Sequence, residues 1–207
     1  MTKYYLWWWV DVSQWKEHLE ESFSVLQSIL EEEKTQELLY IPFARTWLRN
    51  ISRKEFNSRY FQKRVEWRWI RFIDWTYRES YEASELDTVF IAWWNDTIFL
   101  IEQCRHPIVY KTLTSSRVVM WESAWAFTLW KYYYSSVSES LCSWLWLVDA
   151  CVEVHYNHPN RKESFSTCLE LSWPKHWVWI EENTYVSFKN WKFGKKYGKW
   201  EIKIVTL

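Results

Sequence analysis

The segment Val118-Val119-Met120-Trp121-Glu122-Ser123-Ala124-Trp125-Ala126 sets one serine between an apolar run and a stretch suited to start a helix. A serine so placed can act as a nucleophile. A sharp strand-to-helix turn lifts its hydroxyl above a sheet, small residues two before and two after let strand and helix approach, and the next N–H helps bind an oxyanion. Tryptophan occupies both small-residue positions, Trp121 and Trp125. With glycine there, the segment would read G-E-S-A-G, a nucleophile elbow. The same serine also suits the N-cap of an ordinary helix, where its oxygen accepts a hydrogen bond from a first-turn N–H. Both readings stay open on this segment alone.

The elements that would position such a serine alternate along the chain. Tyr4 to Leu6 reads as a buried strand. Ser13 to Glu33 reads as a helix with apolar residues at Trp15, Leu19, Phe23, Leu26 and Leu30 and with Ser13 as a candidate N-cap. Glu37 to Ala44 is a second strand, Arg53 to Arg64 a second helix, Ile70 to Asp74 a third strand and Thr88 to Ala92 a fourth. Asp96 to Cys104 suits a helix, Ser116 to Met120 a fifth strand, and Ala124 to Tyr134 a helix leaving directly from it. The remaining candidates, Thr167 to Leu171, Trp177 to Ile180, Tyr185 to Lys189, Lys192 to Phe193 and Trp200 to Val205, read as short strands and hairpins that finish the sheet. Strands alternating with helices predict an α/β fold with a mostly parallel sheet covered on both faces, a three-layer sandwich. No repeat or linker divides the 207 residues, so one domain over 1–207 is expected.

Charge announces no partner: 26 basic and 26 acidic side chains balance, which speaks against nucleic acid and against an anionic membrane surface. The apolar start, Met1 to Val12, is too short to cross a membrane and reads as a buried first strand. Cys104, Cys142, Cys151 and Cys168 show no CxxC spacing, so neither a zinc site nor a disulfide framework is indicated, and a cytoplasmic location is expected. Glycine and tryptophan are out of proportion. Average usage of about 7% would supply roughly fourteen glycines, yet the chain has 2 beside 20 tryptophans. The tryptophans cluster after apolar runs, at Trp7-Trp8-Trp9, Trp93-Trp94, Trp121 with Trp125, Trp144 with Trp146 and Trp177 with Trp179. Those are turn positions where the absence of a Cβ is normally needed.

Read with glycine at those positions, Tyr5 to Trp9 becomes Y-L-G-G-G, Phe90 to Thr97 becomes F-I-A-G-G-N-D-T, and Trp177 to Thr184 becomes G-V-G-I-E-E-N-T. Together with Ile41-Pro42-Phe43-Ala44 and the Ser123 segment, these resemble the peptidase E family and its relative cyanophycinase, in the same order along the whole chain. The resemblance implies a fold like that of class I glutamine amidotransferases, flavodoxin-like in architecture. Those enzymes place a cysteine at the elbow, whereas this chain has serine. It further implies a serine peptidase with Ser123 as nucleophile. Val154-His155-Tyr156 would supply the general base, His155, with His158 a nearby competitor. Glu139 would be the carboxylate that orients the imidazole, with Asp149, Glu122 and Glu182 as alternates. The oxyanion hole would come from the backbone N–H groups of Trp94 and Ala124. Asn95 would hold that loop or the substrate, and Arg161 would pair with a substrate carboxylate.

The function so implied is hydrolysis of short peptides, including those with an N-terminal aspartate, through an acyl-enzyme, as in a dipeptidase. No cofactor and no metal are implied. The expected partners are a short peptide substrate and at most a second copy of the chain, a monomer or homodimer. Indoles at Trp94 and Trp125 would occupy the space needed by the acyl oxygen and the helix start, and overpacking at twenty such sites would exceed the stability of a domain, so the chain as it stands is expected to be inactive and to misfold. A glycine-type backbone predicts positive φ or close backbone approach at Trp8, Trp93, Trp94, Trp121, Trp125 and Trp179. The alternative from a different class is a non-catalytic binding protein that stacks flat ligands on exposed tryptophan faces.

Overall fold

The computed structural model describes residues 2–7, 15–41, 61–66, 69–75, 87–92, 102–122, 130–135, 140–143, 145, 147–154, 176–180, 184–189, 192–198 and 202–206. Two sheets account for the strands. The first contains β1 (Lys3–Trp7), β2 (Glu37–Ile41), β3 (Arg71–Asp74), β4 (Thr88–Ile91), β5 (Val118–Glu122), β10 (Tyr185–Lys189) and β11 (Lys192–Tyr197), in the order β11-β10-β1-β5-β4-β2-β3. Strands β1, β5, β4, β2 and β3 run parallel, and β10 and β11 add on antiparallel at one side. The second sheet is mixed, in the order β12 (Ile202–Thr206), β9 (His176–Ile180), β8 (Val148–Val154), β6 (Trp130–Ser135) and β7 (Ser140–Ser143).

The inner parallel strands β2, β4 and β5 are nearly continuous apolar runs because both of their faces are covered, whereas β3 at the edge carries an exposed Arg71. On one face, Tyr5, Leu38, Tyr40, Phe90, Val118 and Met120 form a single cluster with Phe23, Leu26, Ile29 and Leu30 of helix α1 (Trp15–Glu32) and with Phe61 and Val65 of the helical segment 61–66. Helix α2 (Pro107–Ser115) buries Val109 and Leu113. The Thr2 hydroxyl donates to the Thr114 carbonyl at 2.9 Å, and Tyr4, on the opposite side of β1 from Tyr5, feels the Tyr110 ring hydroxyl. Strand order explains this division. The connections β1 to β2 and β2 to β3 step across the sheet one way, whereas β3 to β4 and β4 to β5 step back. Right-handed crossovers then carry the connecting helices to opposite faces.

Helix α1 stops where the spacing predicts. Lys34 adopts φ 52°, its N–H reaches the Glu31 carbonyl, and the Thr35 N–H reaches the Leu30 carbonyl, both at 2.9 Å. That pair of bonds is a Schellman motif, with lysine in the left-handed position that usually takes glycine. Just beyond, Glu33 gathers the amino ends of the central strands. Its carboxylate accepts from Lys3 Nζ at 2.5 Å, from the Tyr5 hydroxyl and from Arg117 Nη1 at 3.0 Å. Arg117 Nε donates to Asp87 at 2.6 Å, and the other Asp87 oxygen accepts from the Gln36 N–H at 2.9 Å.

Three expectations are corrected. Residues 130–134, read as the end of a helix starting at Ala124, belong to strand β6. The run Trp130-Lys131-Tyr132-Tyr133-Tyr134 is aromatic, and aromatic side chains favour a pleated, half-buried surface over a helix. The later strands do not finish one sheet: β10 and β11 do, while β9 and β12 belong to the second. Helix α2 was not foreseen. Pro107, beyond the helix expected to end at Cys104, opens α2, since the first helical position needs no N–H. The predicted strand Thr167 to Leu171 lies outside the described residues.

Candidate active site

The carboxyl ends of β1, β2, β4 and β5 lead into four of the segments singled out in the sequence, whereas the His155 and Trp177 to Thr184 segments adjoin β8 and β9 of the second sheet. Strand β5 lies between β1 and β4, and in register Leu6 and Ile91 flank Trp121 while Trp7 pairs with Glu122. Ile41 of β2 pairs with Ile91 of β4, and the Ala92 N–H donates to the Ile41 carbonyl at 3.0 Å. The tops of these four strands therefore form one edge. The chain after Ile41 returns over the α1 face through 61–66, and the chain after Ile91 returns by α2 on the other face. Open α/β sheets hold ligands outside their carboxyl ends where the winding reverses in this way.

Strand β5 extends to Glu122, so Ser123 is the next residue in the chain. Ser123 itself, with Ala124, Trp94, Asn95, His155, Glu139, Arg161, His158 and Glu182, lies outside the described residues. Their flanking backbone does not: Val154, just before His155, ends β8, and Ser140, just after Glu139, begins β7. Asp149 and Glu122 have strand backbones in β8 and β5.

Trp121 and Trp179 lie in the regular strands β5 and β9 and show no positive φ, contrary to a glycine-type backbone there. Trp8, Trp93, Trp94 and Trp125 lie outside the described residues. Among the described residues the left-handed tryptophan is instead Trp69, at φ 63°, whose N–H donates to the Glu66 carbonyl at 2.9 Å just after the helical segment 61–66. Trp121 is completely buried, and its Nε1 finds no acceptor among the described residues. Trp75 is buried as well, whereas Trp69 is 96% exposed. These three indoles thus share no exposed face for stacking a flat ligand.

Cys104 and Glu33 are among the groups with shifted acidities. Burial pushes the Cys104 thiol up, which keeps it protonated and a poor nucleophile. Burial alone would also raise Glu33, but hydrogen bonds from Lys3 and Tyr5 and the charge of Arg117 outweigh it and hold the carboxyl below its usual range. The sequence reading passed over the Lys3, Glu33, Asp87 and Arg117 cluster. Its only signal was charge bordering apolar strand runs, at positions far apart in the chain.

Similarity to known proteins is confined to structure. The fold is similar to the crystal structure of a peptidase from an acI-B1 Actinobacterium, with a TM-score of 0.68 at 15% sequence identity, covering 100% of this chain and 91% of that one. No protein-family profile and no curated protein sequence matches. At that identity the likeness shows the fold alone, which in this chain is an α/β architecture with a mixed seven-stranded sheet. Among the described residues, no helix is long and apolar enough to cross a membrane.

Proposed function

We propose that the chain has the scaffold of a serine peptidase, resembling peptidase E, that hydrolyses short peptides through an acyl-enzyme on Ser123. One observation carries this reading. The strand leading into Ser123 is flanked in parallel by β1 and β4 at the carboxyl edge of the sheet, in a fold shared with a peptidase. A hydroxyl just above that edge would stand clear of the core, next to the segments that follow β1 and β4.

In this mechanism His155 takes the Ser123 proton as the oxygen attacks the scissile carbonyl carbon. The new C–O bond places negative charge on the carbonyl oxygen, which accepts hydrogen bonds from the N–H groups of Trp94 and Ala124. The C–N bond breaks as His155 returns the proton to the leaving amine. Water then attacks the ester with the same base and releases the acid. Glu139 keeps the imidazole in the orientation that faces Ser123, Asn95 supports the loop after β4, and Arg161 receives a substrate carboxylate. A substrate with an acidic N-terminal residue and a cytoplasmic setting fit this assignment.

Indoles at Trp94 and Trp125 would fill the space this chemistry needs, so the chain as it stands is expected to be inactive. A fluorophosphonate probe followed by peptide mapping tests the assignment. The triple variant Trp94→Gly, Trp121→Gly, Trp125→Gly should carry the adduct on Ser123 and lose it on adding Ser123→Ala. A cooperatively folded triple variant with no adduct on Ser123 overturns the reading.

A further inference from the structure

Among the described strands, β11 is the outermost of the first sheet, paired to β10 on one side, and residues 192–196 are all exposed. From 189 to 199 the chain carries Lys189, Lys192, Lys195, Lys196 and Lys199 and no acidic residue, in a protein of zero formal charge. Phe193, 39% exposed, stands among these lysines with its ring edge-on to Phe188 at 6.2 Å. Lys195 reaches back to Glu32 of α1 at 2.6 Å, which fastens the strand to the body of the fold.

We infer that the outer edge of β11 docks an extended acidic segment of a partner protein, which adds to the sheet as one more strand. The open side of an edge strand presents N–H and C=O groups that a peptide backbone can complete. A second copy of this chain is the wrong occupant, because two β11 edges would set lysine opposite lysine, and like charges across a ladder are destabilising. A strand carrying glutamate or aspartate reverses that sign, and Phe193 adds an apolar contact beside it. Nucleic acid is disfavoured because a phosphate backbone lacks the N–H donors that complete a β-ladder. The balanced charge of the whole molecule also supplies no long-range attraction for a polyanion. The site is separate from the carboxyl edge around Ser123: β11 lies three strand positions from β5, roughly 14 Å at about 4.8 Å per strand.

Fluorescence anisotropy of a labelled peptide of about ten residues, alternating Glu and Val, tests this at low salt, about 20 mM. Saturable binding is expected. It should weaken about tenfold or more in the Lys192→Glu, Lys196→Glu variant. It should weaken equally for the unmodified protein when alternate peptide amides are N-methylated, which preserves every charge but blocks the ladder. Hydrogen exchange should slow at β11 amides in the complex. Undiminished binding of the N-methylated peptide, tighter binding of a DNA duplex, or no saturable binding would each overturn the inference. The N-methyl comparison needs no variant, so an unfolded double mutant leaves the test intact.

Discussion

An indole N–H sealed in a sheet without an acceptor is costly. For Trp121 the loss of its water hydrogen bond is worth about 1–3 kcal/mol. Trp121→Phe removes the donor and keeps most of the volume, so it should raise the unfolding free energy by about 1 kcal/mol in urea titrations. Trp69 has a different difficulty. Its left-handed backbone costs a residue with a Cβ roughly 1–2 kcal/mol, and its exposed ring recovers little by packing. Trp69→Gly should therefore stabilise by about 1 kcal/mol, read as a higher melting temperature. Trp69 lies outside the tryptophan clusters where a glycine-type backbone was expected, yet the end of a helix puts it in the left-handed region that suits glycine. At Trp121, inside such a cluster, a strand accepts the indole with ordinary angles. Cluster position therefore did not locate the glycine-type backbone, because φ depends on what the neighbouring turn must do.

The hairpin of β10 and β11 shows what a retained glycine does. A Cβ on Gly194 would stand 2.6 Å from Ser187 Oγ, an oxygen that accepts from the Lys195 N–H at 2.7 Å and donates to its carbonyl at 3.2 Å. These bonds cross the irregularity between Val186 and Phe188. Gly194→Ala should cost about 1–2 kcal/mol by displacing that hydroxyl, and the loss should shrink in a Ser187→Ala background when both are compared in a thermal double-mutant cycle. Other elements differed in how legibly they were written. Strands β2, β4 and β5 were readable because burial on both faces writes them as apolar runs, and α1 because its buried residues recur at helical spacing. Strand β6 was misread because the elbow pattern at Ser123 suggested a helix beyond it, overriding the aromatic preference for strand. The backbone frame of the candidate site was thus visible in β1, β4 and β5. The proposed pairing of Ser123 with His155 would join segments far apart in the chain, which periodicity cannot report.

At the scale of the whole molecule, Glu33 ties α1 to β1 and β5, and Arg117 carries the tie on to the Asp87 turn before β4. Because its folded carboxyl titrates below the ordinary value, this stabilisation is complete above the unfolded value near 4.3 and is lost as pH falls through the folded one. Glu33→Gln should destabilise by about 2–3 kcal/mol at neutral pH. It should also flatten the decline of stability below about pH 4, as followed by circular dichroism. The same strand order also governs synthesis. Among the described strands, β1 gains one neighbour when β5 is made and its other only with β10 (Tyr185–Lys189). At roughly 5–20 residues per second, β1 waits on the order of ten seconds or more after its own synthesis with a bare flank. A chain that halts before β10 therefore keeps an unpaired strand flank exposed, and chaperone demand should persist until β10 is made.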